Sequence, residues 1–146
     1  MNRDPQIEGL VRDWFSAASR GDARLVDALV SENEGVRLVG SDPEEVFAGG
    51  AQVAGFLRGE VVNAGGNVRF DPSQIEAFSE GTVGWATTLL RITLPDGGTV
   101  SPRWSSVLHR ERDQWKFVQI LASIGVPNDQ VGWVYPSEAR AAATPG

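Results

Sequence analysis

Ten consecutive residues near the C-terminus, Trp115-Lys116-Phe117-Val118-Gln119-Ile120-Leu121-Ala122-Ser123-Ile124, restrict the possible folds more than any other stretch. Their aromatic and β-branched content predicts a long strand. Strict alternation puts Lys116, Val118, Ile120, Ala122 and Ile124 on one face and Trp115, Phe117, Gln119, Leu121 and Ser123 on the other. Both sets are largely apolar, and a strand apolar on both faces is covered on both. The expected covers are the chain's own helices on one side and a second layer or second subunit on the other. On this reading Gln119, Leu121 and Ser123 look inward, and Val118, Ile120 and Ala122 meet a partner.

The preceding chain changes period once. Asp4-Pro5 reads as a helix cap followed by proline at the first helical position. Ile7, Leu10, Val11, Trp14, Phe15 and Ala18 then recur on one helical face. Gly21 stops this helix and Asp22 is placed to cap a second, carrying Leu25, Val26, Leu29 and Val30. A short strand, Val36 to Gly40, is followed by a loop from Ser41 to Gly50 and by a third helix from Ala51 to about Ala64. From Asn67 the period is two, with Pro72 marking a bulge or an edge. Pro95-Asp96-Gly97-Gly98 is a hairpin turn between strands at Thr82–Leu94 and Thr99–Arg112, and Asp113-Gln114 turns into the last strand. Runs of helix followed by runs of strand predict an α+β domain over 1–130. Its strongly curved mixed or antiparallel sheet wraps around three N-terminal helices as a cone. Residues 131–146, with Trp133, Tyr135 and a small-residue ending, are expected to form a partly flexible tail.

Composition removes several function classes. Asp and Glu outnumber Lys and Arg 19 to 13, for a net charge of −6, and the basic residues are scattered. Such a surface suits neither nucleic acid nor anionic lipid. No stretch approaches the roughly 20 apolar residues of a membrane span, and the N-terminus lacks the apolar core of a signal peptide. There is no cysteine and a single histidine. A thiolate metal site, a cysteine nucleophile and a disulfide framework are therefore excluded, and the expectation is a cytoplasmic protein without metal or cofactor. No phosphate loop, dinucleotide fingerprint or nucleophile elbow is present.

In element order the chain resembles the nuclear transport factor 2-like superfamily, and within it the SnoaL-like branch. The resemblance runs from about Ile7 to Asn128. It rests on Gly21-Asp22 between the first helices, on Asp42-Pro43-Glu44-Glu45-Val46-Phe47-Ala48-Gly49 before the third, and on Trp115-Lys116-Phe117-Val118-Gln119 with Ser123-Ile124-Gly125-Val126-Pro127-Asn128 at the end. It implies a cone enclosing a pocket, and a homodimer formed through the outer sheet face. Enzymes of this kind hold a carboxylate or histidine inside the cone as general base. Here Leu121 stands where many relatives carry histidine. The isomerases' base falls near Gly40 or Ser41 and their acidic donor near Ser105 to Val107, where this chain has no acid.

The residues favour a binder over a catalyst. A pocket of Trp14, Phe47, Phe56, Trp104, Gln119, Leu121 and Ser123 is apolar with polar handles, the profile of a small-molecule site. The physiological role is open, and the expected ligand is a small, mostly apolar molecule. The first alternative is a cyclase, isomerase or hydrolase that uses Asp42 or His109 as general acid or base. The second is a structural dimerisation module with a side-chain-filled cone.

Overall fold

The cap at Asp4 works as its sequence predicts. In the computed structural model, which describes residues 1–132, the Asp4 carboxylate accepts a hydrogen bond from Ile7 N–H at 3.1 Å. Pro5 sits in the first turn of α1 (Pro5–Ser19). The apolar stripe Ile7, Val11, Trp14, Phe15 and Ala18 is buried. Asp22 does not cap the second helix. Ala23 holds that position, and Asp22, one residue earlier, accepts from the N–H of the first helical residue, Arg24, at 3.1 Å. Helix α2 is short (Arg24–Leu29), and α3 (Gly50–Ala64) ends at Gly65 in the left-handed region, φ 59°.

Eight strands form one strongly curved, unclosed sheet. They are β1 (Asn2–Arg3), β2 (Arg37–Val39), β3 (Val46–Ala48), β4 (Arg69–Glu80), β5 (Val83–Thr93), β6 (Thr99–Val100), β7 (Pro102–Glu111) and β8 (Gln114–Ile124). Their spatial order is β1-β4-β5-β7-β8-β2-β3, with β6 beside β5. Among the described strands only β2 and β8 run parallel, so the sheet is mixed. The stretch expected as a plain loop before α3 contains β3, which pairs Val39 with Val46 after a turn closed by Gly40 N–H to the Glu45 carbonyl at 2.8 Å. Pro72 lies in β4 beside the expected bulge, between Ser73 and Glu76, where Gln74 takes a positive φ of 51°. The chain after β8 makes a 3₁₀ turn, Asn128–Val131. Trp133 and Tyr135 of the expected tail lie outside the described residues.

A second bulge corrects the reading of β8. Leu108 pairs with Phe117, but Val107 pairs with Gln119, so Val118 is an extra residue opposite the partner strand. An inserted residue flips every following side chain to the opposite face. Trp115 and Phe117 point to the core as expected, and beyond the bulge Ile120 and Ala122 point inward too. Ile120 is 4% exposed and Leu121 is 37% exposed. The set Val118, Ile120 and Ala122 is therefore not an outer face.

Helix α1 lies against the sheet at Gly84. A Cβ there would come within 2.3 Å of Ile7 Cδ1 and 3.4 Å of the Trp115 ring. Gly84→Ala is expected to destabilise by about 1–3 kcal/mol through overpacking. Gly9 lies within α1, and nothing comes within 4 Å of the Cβ it would gain. Gly9→Ala is expected to stabilise by up to about 1 kcal/mol. Urea titrations of the two variants check both signs.

Candidate ligand-binding site

The concave side of the sheet, α1 and α3 enclose a cavity of about 530 Å³. Each wall follows from one element's periodicity. Helix α1 contributes Trp14 and Phe15 from its apolar stripe. Helix α3 contributes Phe56, Glu60 and Asn63, which recur at helical spacing along one face. Inward positions of β5 (Leu90, Ile92), β7 (Pro102, Trp104) and β8 (Ile120, Ala122) supply the sheet wall. Phe70 closes one side, and the end of β2 with Gly40, Ser41 and Glu45 forms the opposite rim.

The aromatic groups interlock. Trp104 meets Phe15 edge-on at 5.2 Å between centroids and Phe117 at 5.8 Å, while Phe117 meets Trp14 at 4.9 Å. Such edge-to-face pairs hold ring orientation beyond simple burial. Behind this layer, Ser106 and the indole N–H of Trp115 are buried without hydrogen-bond partners among the described residues.

Of the seven residues expected to line the pocket, Trp14, Phe56 and Trp104 do so. Phe47 lies behind Phe56, stacked on it at 4.4 Å, and supports the wall from outside. Gln119, Leu121 and Ser123 are on the outer face, where their register partners are Val107, Ser105 and Arg103, because of the bulge at Val118. Leu121 and Leu89 border a broad outer groove that also holds Arg3, Glu76 and Arg103.

Neither acid–base candidate reaches the cavity. Asp42 is exposed and accepts from Glu44 N–H at 2.9 Å, which organises the turn. His109 is at the far end of β7, opposite Val83 and Lys116. Its Nδ1 lies 3.8 Å from Glu111, whose carboxylate instead accepts from the Ser31 hydroxyl at 2.7 Å. The carboxylates that do line the cavity are Glu45 and Glu60. Sequence reasoning passed over Glu60, although its position four residues after Phe56 gave the needed signal. Among the described residues, no group of three or more His, Asp or Glu side chains is arranged to hold a metal ion.

Comparison with known proteins decides the family. The model of the SnoaL-like domain matches residues 7–127. The chain belongs to the SnoaL-like domain family. Its fold is shared with an NTF2-like protein of unknown function from Pseudomonas putida KT2440, at a TM-score of 0.76 and 16% identity over 90% of this chain and 92% of that one. A provisionally named dehydratase of the NTF2-like family from Streptomyces avermitilis is similar at a TM-score of 0.68 and 17% identity, covering 84% and 96%. A provisionally named ketosteroid isomerase from Parabacteroides distasonis is similar at 0.65 and 19%, covering 83% and 86%. At these identities the likeness concerns the fold, which hosts many activities. A search of curated proteins found no significant match.

Proposed function

We propose that this SnoaL-like protein binds a small, mostly apolar molecule in its cone. The observation that carries the reading is the cavity of about 530 Å³, walled by Trp14, Phe15, Phe56, Phe70 and Trp104 with a few polar groups at its rim. That is the ordinary anatomy of a small-molecule site. It also speaks against a purely structural module, whose cone would be filled by side chains. An acid–base enzyme working through Asp42 or His109 lacks support, since both side chains lie away from the cavity.

The test uses 2-naphthylethanol, an uncharged probe small enough for the cavity. Binding is expected to change the fluorescence of Trp14 and Trp104. Ala122 faces Trp104 in register, so Ala122→Trp is expected to fill the space and lower affinity at least about tenfold while the protein stays folded. Equal binding by this variant would place the probe elsewhere.

We also propose a homodimer formed through the outer face of the sheet. The supporting observation is a set of outward apolar side chains: Val39 is 43% exposed, Val46 66%, Val83 42% and Leu89 48%, beside Leu121. Small outward residues, Ser105 and Thr87, lie between them in register. A sheet face of this composition suits another sheet packed at about 10 Å. No described helix is long and apolar enough to cross a membrane.

A further inference from the structure

Resting on the binding reading above, we propose that the cavity selects neutral apolar molecules that carry a hydrogen-bond acceptor, a ketone being the simplest case. The indole N–H groups of Trp14 and Trp104 supply the hydrogen bonds. An indole is a donor only, and a buried tryptophan ordinarily finds an acceptor for its N–H. Trp14 is 7% exposed and Trp104 6%, yet neither N–H donates to an acceptor among the described residues. Nor is either sealed away as the N–H of Trp115 is. Both rings pack on Phe117, on the inner side of the sheet, and both stand on the cavity wall. The space their N–H groups open onto is therefore the cavity.

The rest of the wall offers a ligand no other anchor at depth. Leu38, Phe56, Phe70, Leu90 and Ile120 line it without a nitrogen or oxygen in their side chains. Polar side chains lie at the rim, where Ser41, Glu60 and Asn63 are exposed. No Lys, Arg or His lines the cavity. The inner side chains thus donate hydrogen bonds and accept none. A carbonyl oxygen matches that pattern and brings no donor of its own. A hydrocarbon of the same shape leaves both N–H groups unpaired in apolar surroundings, which is costly. A carboxylate offers oxygens too, but gives up its hydration with no cation on the wall to replace it.

The donors are also held in place. Trp104 is set edge-on between Phe15 at 5.2 Å and Phe117 at 5.8 Å, and Trp14 meets Phe117 at 4.9 Å with 67° between the planes. Rings fixed by packing lose little freedom on binding, so they discriminate between an acceptor and its isostere.

The test compares 2-acetylnaphthalene with 2-isopropenylnaphthalene, in which a methylene group replaces the carbonyl oxygen, and with 2-naphthoate. Equilibrium dialysis is expected to show the ketone about fivefold tighter than the alkene, although the alkene is the more hydrophobic, and the carboxylate weakest. The infrared carbonyl stretch of the bound ketone is expected below its value in hexane, as for any hydrogen-bonded carbonyl. In the double variant Trp14→Phe with Trp104→Phe, aromatic rings remain but the donors are gone. The ratio of ketone to alkene affinity should then fall to about one, and the stretch should return toward its hexane value. Should that variant not fold, the stretch measured in the parent decides. Equal affinities for ketone and alkene in the parent, an unshifted stretch, or a preference that survives the double variant overturns this inference and leaves the cavity reading intact. Binding of 2-naphthoate as tight as that of the ketone overturns the restriction to neutral ligands. If neither ketone nor alkene binds, the cavity reading itself falls, and this inference with it.

Discussion

Ile120→Asp is expected to unfold the protein, whereas Leu121→Asp should leave each subunit folded and separate the proposed dimer. The two residues are neighbours, but the bulge at Val118 sends them to opposite faces. Ile120 is 4% exposed within the apolar core. A carboxylate placed there has no partner and is expected to cost about 4 kcal/mol or more. That is a large share of the 5–15 kcal/mol that typically holds a domain together. Leu121 is 37% exposed and has Ser105 and Val39 as register partners. An aspartate at position 121 would meet water in the monomer but an apolar surface in the proposed dimer. Circular dichroism should show loss of structure for Ile120→Asp alone, and sedimentation should show a folded monomer for Leu121→Asp. The reverse pattern would mean that the strand alternates without a bulge. A dimer that survives Leu121→Asp would remove the outer face as its interface.

Phe117→Ala is the second large effect. Phe117 is fully buried and is the ring on which Trp14 and Trp104 both rest. Truncation removes the shared contact of a helix and a strand and leaves a hole behind the cavity wall. The expected loss is about 3–5 kcal/mol, read from the urea midpoint. The two indoles would then be free to tilt into the hole, so naphthyl probes should also bind more weakly under conditions where the variant stays folded. A stability loss below about 1 kcal/mol would show that the aromatic cluster is not a structural unit.

Much of the architecture was legible because it depends on local signals. Asp4-Pro5 marks the start of α1, Gly65 its counterpart at the end of α3, and the Pro95–Gly98 turn the hairpin between β5 and β6. The family was legible from the order of such elements and a few short motifs. The lining of the cavity was only partly so. Trp14, Phe56 and Trp104 follow from periodicity, but Gln119, Leu121 and Ser123 were assigned inward by an alternation that the bulge interrupts. An extra residue in one strand is defined by its pairing with another, here Leu108 with Phe117 and Val107 with Gln119, and nothing in β8 alone announces it. Glu45 was legible as a carboxylate near the mouth of the cone, but its side chain was expected to be solvated rather than part of the wall. Its place depends on the close approach to Gly40, which is a property of the folded turn and not of either residue.

The ends of the sheet carry a separate consequence. Among the described residues β4 is covered on one side by only the two residues of β1, at Phe78 and Ser79. The rest of that border is broken by Pro72 and by the irregularity between Ser73 and Glu76. On the other side the last strand is β3, three residues long. Neither border offers an incoming chain a continuous ladder of free backbone donors and acceptors. Fibril-like growth by strand addition is disfavoured at both borders, so a native population kept at high concentration should resist templated aggregation even though Leu89 and Leu121 are exposed on the outer sheet face.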